Sequence, residues 1–549
     1  MDRFLLLIIC VLLGVATAIS MHSQESTSPA SGDTTPRFLG RTDAPSHLIL
    51  AQSDQQSADL AAGTFSYRAF VKQTRVEDRH DVYPPADVVS FTYEADGDAA
   101  DPKRPIIFLF NGGPGSASIW LHMTGFGPDK TSADLMDASE GDVPLTREAN
   151  PGFLIDVADL VFVDAVGTGL SRVAEDGDEA AFKDLRVDAR AMCRFAQNWL
   201  KGEDRVGAPV YVVGVSYSTL RAAGMASHPT CGDFRANLRG LIFVSGLLDL
   251  RMRHPRDTMG RVSHYPSIAA AAWHRDRVDR SQWSDDFNAF LEEMEAYAVS
   301  VLAPAIDAGY QLSPDQERAI IDELHTQLGL DRPSDTVVSV SAAIRSAERK
   351  IGGRLPACGY DARFNCRRLG SHPDLPLSAF GRYLEAELVD HVAALTGYEI
   401  DPDQYYALRG NRFRSNWDYR FNKSRESGMG TDMADILLRR IKVPKPLPQE
   451  VDPDLPGAMQ TATRAATTPF GRVPFIEKAP TRIMVASGIH DFVTPYYAME
   501  LALLRAGLEP SQFEMHLYEG GHMMYLEKET GHQLAADIRS FIRSVETPS

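Results

Sequence analysis

The chain has 549 residues, 44% of them hydrophobic, and a formal net charge of −18 at pH 7. That apolar share is ample for a packed core, and the length suits such a core with a large insertion. The negative balance argues against nucleic acid or an anionic membrane as the main partner, although local charge in a cleft, not net charge, selects a substrate.

The predicted elements begin with a processing signal. Arg3 precedes the apolar run Phe4 to Val15, and Ala16-Thr17-Ala18 is an A-x-A cleavage pattern, so residues 1–18 read as a signal peptide. The run is short for a membrane span. The mature chain is therefore expected to be exported, secreted or periplasmic, with no stable span; an uncleaved anchor is the alternative. Residues 19–62 are rich in Ser, Thr, Pro, Gln and Asp and read as a flexible segment. Thr64 to Lys72 and Val88 to Tyr93 are expected to form an antiparallel hairpin.

The run Ile106 to Phe110 reads as a buried strand that enters Asn111-Gly112-Gly113-Pro114-Gly115-Ser116. This loop lacks a G-K-[ST] ending and is not a phosphate loop. It is either a tight structural turn or a loop that aims a backbone N–H at a developing oxyanion. Further strands are expected at Leu160 to Asp164, Val210 to Val213 and Leu241 to Val244. In Val213-Gly214-Val215-Ser216-Tyr217-Ser218, a serine stands where a β-branched run meets a helical one. That is the pattern of a nucleophile elbow, which wants small residues two before and two after the serine. Gly214 meets this; Ser218 meets it less well than glycine. The competing reading is a serine that caps an ordinary helix.

After Asp249 the pattern becomes helical. Helices are expected at Asp285 to Leu302, Pro314 to Leu328, Ser378 to Leu395 and Met433 to Ile441, before Pro-rich Val443 to Pro456. Residues 251–480 therefore read as a helical cap inserted between core segments 63–250 and 481–549. Trp273 and His274 are candidates for cleft residues, with a cap-helix core as the plainer alternative. No internal repeat, metal-ligand cluster or cofactor motif stands out. Asn422-Lys423-Ser424 is a glycosylation sequon only in a host that glycosylates.

The last core strands carry polar residues at their carboxyl ends. Arg482 to Asp491 ends in an aspartate, and Phe513 to His522 in a glycine-flanked histidine, followed by a helix over His532 to Val545. Functional groups gather beyond the carboxyl ends of strands in open α/β sheets. The order Ser216, Asp491, His522 is that of α/β-hydrolases. His490 is a rival, but neighbours on an extended chain point apart, which favours His522 as the partner of Asp491. Of the five cysteines, Cys10 leaves with the signal. Cys358 with Cys366 would close a short loop and leave Cys193 to Cys231; four reduced thiols are the alternative.

Asn111-Gly112-Gly113-Pro114-Gly115-Ser116 resembles the N-G-G-P-G-[CS] signature of the serine carboxypeptidase family, particularly its bacterial-type members. Asp164 to Ser171 is similar to its D-x-P-V-G-T-G-[FY]-S stretch, and Gly214-Val215-Ser216-Tyr217 to its G-E-S-Y motif. Ser487 to Pro495 and Gly520 to Tyr525 resemble its aspartate and histidine segments. The resemblance implies an α/β-hydrolase fold: a mostly parallel sheet flanked by helices, with a large helical cap insertion. It implies hydrolysis of a peptide substrate through an acyl-enzyme, without cofactor or metal. Ser216 would be the nucleophile, His522 the base and Asp491 its orienter. The backbone N–H groups of Gly113 and Tyr217 would form the oxyanion hole, while Asn111 and Gly112 would bind the substrate carboxylate.

Two departures bear on specificity. The family has a Glu before the nucleophile, where this chain has Val215, and a second Glu at the position of Gly125. Such a pair shares a proton and holds the terminal carboxylate. Two alternatives therefore stay open: a serine esterase, amidase or acyltransferase without free-carboxylate specificity, and a non-catalytic binding protein on a hydrolase scaffold. The oligomeric state is not readable from the sequence.

Overall fold

A computed structural model describes residues 46–547, except 98–99, 134–144, 175, 254–256, 332–336, 338, 367–376, 410, 422–432 and 434–480. The signal peptide, the sequon, the Pro-rich stretch and all of the predicted helix 433–441 except Met433 lie outside the described residues.

Thirteen strands are described. They are β1 His47–Gln52, β2 Gln56–Leu60, β3 Gly63–Val76, β4 Ala86–Ala95, β5 Ile106–Phe110, β6 Asp129–Ala133 and β7 Leu145–Ala149. β8 Asp159–Val163, β9 Arg172–Val173, β10 Val210–Val215, β11 Leu238–Val244, β12 Arg482–Gly488 and β13 Glu514–Tyr518 follow. The main sheet runs β1-β3-β4-β8-β5-β10-β11-β12-β13, with β2 beside β3 and β9 beside β4. From β8 to β13 all neighbours are parallel, and the β3–β4 hairpin is antiparallel as expected. The fold is α/β.

The parallel strands are continuous apolar runs because both faces are covered. In β5, Ile106, Phe108 and Phe110 join one hydrophobic cluster, and Ile107 and Leu109 join the other. β10 divides the same way, with Val210 and Val212 on one face and Tyr211, Val213 and Val215 on the opposite face. On the first face lies the helix Leu185–Gly202, whose amino end is capped by the Asp184 carboxylate accepting from the N–H groups of Arg186 and Val187. On the second lies the helix Lys528–Glu546, which buries Leu534, Ile538, Phe541 and Ile542.

The flexible reading of residues 19–62 is corrected over its described part. β1 pairs with β3 from His47 to Gln52, and β2 pairs with β3 from Gln56 to Leu60. Their polar composition reflects an edge position. Their order comes from hydrogen bonds to a long neighbouring strand, which local composition does not report.

Between β11 and β12 the described residues are mainly helical, including Tyr265–His274, Phe287–Tyr297, Pro314–Gln327 and Leu377–Thr396. Trp273 is buried against Phe290 and Phe287 and belongs to the packing of this insertion. One junction between insertion and core is acidic. Glu295 accepts from the Tyr496 hydroxyl at 2.6 Å, and Tyr496 shares the helix Tyr496–Arg505 with Glu500. Burial, with Glu295 second, pushes the Glu500 carboxyl from 4.5 up to about 7. A raised carboxyl supports the fold fully only below its ordinary value, and that support is lost as pH rises through the folded value. Glu500→Gln is therefore expected to match the parent near pH 4 and to exceed it by up to about 3 kcal/mol near pH 8. Denaturant titrations at both pH values check this; a difference independent of pH would contradict it.

Candidate active site

β5 and β10 are adjacent, with β8 on the far side of β5. The strand order thus reverses at β5, which is where open α/β sheets form a crevice at their carboxyl ends. The glycine-rich loop follows β5, and Ser216 follows β10. Ser216 has φ 55° and ψ −123°, outside the regions a non-glycine residue normally occupies, and the helix Tyr217–Ser227 starts immediately after it. The turn is tight enough that a Cβ on Gly214 would lie 2.3 Å from the Ser218 carbonyl oxygen. Ser218 fits this turn through polar contacts. Its buried hydroxyl donates to the Asn111 carbonyl and receives Arg221 Nη1. Arg221, itself buried, reaches Asp188 at 2.9 Å, and Asp188 also accepts from the Tyr217 hydroxyl at 2.9 Å. Burial raises the Asp188 carboxyl, and Arg221 opposes that rise.

The structure brings Ser216, His522 and Asp491 together. Ser216 Oγ is 3.0 Å from His522 Nε2, and His522 Nδ1 is 2.7 Å from Asp491 Oδ2. Asp491 is fully buried, and its Oδ1 accepts from the N–H groups of Val493 and Thr494. The Thr494 hydroxyl lies 2.7 Å from Asp491 Oδ2 and 3.1 Å from His522 Nδ1. Thr494 went unremarked in the sequence, although it lies within the aspartate segment. His490 faces away from this set and hydrogen-bonds Glu519 at 3.0 Å.

The backbone N–H groups of Gly113 and Tyr217 have no hydrogen-bond partner among the described residues. Both residues line a cavity of about 280 Å³ together with Ser216, Thr494, Leu220, Leu247, Leu250 and Tyr419. None of these side chains is charged. Asn111 is placed differently. Its Oδ1 accepts from Leu121 N–H at 3.0 Å, an interaction that uses the acceptor side of the amide. Val215 is buried at the end of β10, and Gly125 is buried in the π-helical turn His122–Phe126. Asp164, in the other glycine-rich stretch, is also structural: it accepts from Ser118 N–H, the Ser118 hydroxyl and Leu170 N–H.

A short loop of the insertion reaches the same place. Cys358 and Cys366 are disulfide-bonded, as are Cys193 and Cys231. Within the 358–366 loop, Tyr360 O accepts from His522 N–H at 2.6 Å, and Gly359 O accepts from Phe492 N–H at 3.0 Å. Ala362 N–H donates to His490 O at 2.9 Å, and the Tyr360 ring stands edge-on to His522 at 5.1 Å. The loop thus holds both segments that carry the aspartate and the histidine. Opening it with Cys358→Ser and Cys366→Ser is expected to cost about 2–3 kcal/mol of stability. It should also lower kcat by roughly ten- to a hundredfold at near-constant KM, because small misplacements are costly in catalysis. Unchanged kcat in a folded variant would rule out this positioning role.

The sequence model of the serine carboxypeptidase family matches residues 90–292. Over this stretch the chain is similar to serine carboxypeptidases. The matched stretch holds the glycine-rich loop and Ser216, while Asp491 and His522 lie beyond it. No curated protein sequence matches the chain. Among solved structures, similarity is found to Kex1(delta)p, a prohormone-processing carboxypeptidase from Saccharomyces cerevisiae. It is 13% identical, with 88% of this chain and 91% of that chain covered and a TM-score of 0.42. The peroxisomal α/β-hydrolase Lpx1 of the same yeast is 9% identical, with coverage of 88% and 91% and a TM-score of 0.32. A soluble variant of its monoglyceride lipase is 11% identical, with coverage of 84% and 93% and a TM-score of 0.31. At these scores the likenesses add nothing to the topology described above. Among the described residues, no helix is long and apolar enough to cross a membrane.

Proposed function

We propose that the chain is an exported serine peptidase that removes C-terminal residues through an acyl-enzyme. The observation that carries this reading is the unbroken hydrogen-bond chain from Ser216 Oγ through His522 to Asp491, at an elbow whose neighbouring N–H groups are free of described partners. With Asp491 ionised, His522 Nδ1–H donates to it, and Nε2 accepts the Ser216 proton. Ser216 Oγ then bonds to the scissile carbonyl carbon. The C–N bond breaks as His522 returns the proton to the leaving amine. Water, activated by the same imidazole, releases the acid and restores the serine. The oxyanion accepts from Gly113 and Tyr217 N–H groups, and each such donor is worth about 3–4 kcal/mol in the transition state.

The uncharged cavity beside these donors does not include His522 in its lining. The amine leaves on the histidine side, so the cavity is read as the site for the acyl residue's side chain, and that side chain as large and apolar. Leu250→Lys is expected to lower kcat/KM for leucine or phenylalanine at that position by roughly tenfold or more, with glutamate gaining relative to them. An unchanged preference would exclude this cavity as the specificity pocket.

A second reading has its own observation. Val215 and Gly125 supply no carboxyl group, so the proton-sharing pair of the family this chain resembles has no counterpart at these positions. Recognition of a free C-terminal carboxylate is therefore weak, and amides or esters are expected to compete. Mass spectrometry of a peptide library digested by the mature chain, with free-acid and amidated members, separates the readings. Stepwise C-terminal loss supports a carboxypeptidase. Internal cleavage or equal use of amides supports a general serine hydrolase. Absence of both turnover and fluorophosphonate labelling would leave only a binding protein.

A further inference from the structure

Two histidines that take no part in this chemistry meet beside its acid–base segments. His490, the rival for the base, and His274, at the end of the insertion helix Tyr265–His274, meet over one carboxylate, Glu519. His490 Nε2 is 3.0 Å from Glu519 Oε1, and His274 Nδ1 is 3.7 Å from the same oxygen. One ligand atom from each residue lies within 4.8 Å of the others. Ligand atoms around a tetrahedral zinc ion stand about 3.3 Å apart, as follows from bonds of 2.0–2.1 Å. The cluster therefore needs only a small closing movement of the His274 ring to take an ion. We propose that His274, His490 and Glu519 form a three-ligand site for a divalent cation of the zinc type.

The donor set decides the class of ion. Two imidazoles and one carboxylate suit zinc and its borderline neighbours, whereas magnesium and calcium prefer all-oxygen sites. Three protein ligands leave a fourth position for water, and the Glu519 side chain is 54% exposed, so that position opens to solvent. The nearby Arg363, 3.9 Å from Glu519, is already paired with Asp361 and Glu527.

The site's position gives it a role. His490 precedes Asp491, Glu519 lies three residues before His522, and His274 belongs to the insertion. A bound ion ties the insertion to both segments that carry the acid–base pair. It is a staple, not a participant in bond cleavage, and it stands whether or not the proposed peptidase reading holds.

Zinc chloride titrated calorimetrically into chelator-stripped wild-type protein is expected to show one bound equivalent and to raise Tm, with magnesium doing neither. His274→Ala and Glu519→Ala change side chains that are partly or half exposed and should fold. Each is expected to weaken zinc binding by roughly tenfold or more, and the double variant should lose the Tm rise. A wild-type protein that binds no zinc, or variants that bind it as well as wild type, would overturn the proposal.

Discussion

Ser216→Ala is expected to lower kcat on the order of 10⁶-fold and to abolish fluorophosphonate labelling, with the fold retained. His522→Ala should be equally damaging, and Asp491→Asn should cost about 10⁴-fold. The basis is that the three side chains form one hydrogen-bonded unit, so removing a member disables the others. The double variant Ser216→Ala with His522→Ala should therefore be little worse than either single change. A residual rate of roughly 10³ to 10⁴ over water should survive, from oxyanion stabilisation and binding. Circular dichroism and single-turnover kinetics on the purified variants are the measurements. If His490→Ala were the more damaging histidine change, the assignment of the base would fall, because His490 is turned toward Glu519.

Gly112→Ala is expected to reduce kcat by about 10²- to 10³-fold without unfolding the protein. A Cβ at this position would lie 2.6 Å from Val215 O, 2.7 Å from Ser216 Cβ and 2.9 Å from Tyr217 N. The backbone of Gly112 is not in the left-handed region, so alanine meets no conformational penalty there. The whole effect is a collision with the elbow. Relief requires moving Ser216 away from His522, or turning the Tyr217 N–H from the oxyanion. KM should change much less than kcat, since the apolar cavity walls are untouched. A variant with normal kcat would show that the elbow and the loop are not in the contact described.

Much of this arrangement was legible along the chain. β5, β10, β11 and β12 were readable because a strand covered on both faces must be apolar at every position. The elbow was readable because a strand, a small residue, a serine and a helix are all local signals. The choice of His522 over His490 followed from the alternation of neighbouring side chains. The edge strands β1 and β2 were missed because their hydrogen bonds go to β3, and their polar residues resemble a linker. The hairpin of β6 and β7, which pairs Asp129–Ala133 with Leu145–Ala149, was missed as well.

The sequence alone determined the α/β class, the order of the core strands along the chain and the three residues most suited to nucleophilic chemistry. It also showed that the carboxylate pair of the related family is missing at Val215 and Gly125. Only the tertiary structure decided that Asn111 Oδ1 accepts from Leu121 N–H, and that Leu220, Leu247, Leu250 and Tyr419 share one cavity. It alone showed the 358–366 loop gripping the aspartate and histidine segments, and His274 meeting His490 over Glu519. The physical reason is range. Periodicity, turn chemistry and motifs express interactions among residues a few positions apart, whereas most of these contacts join segments from about 30 to more than 240 residues apart, whose meeting is set by sheet order and by how the insertion folds back.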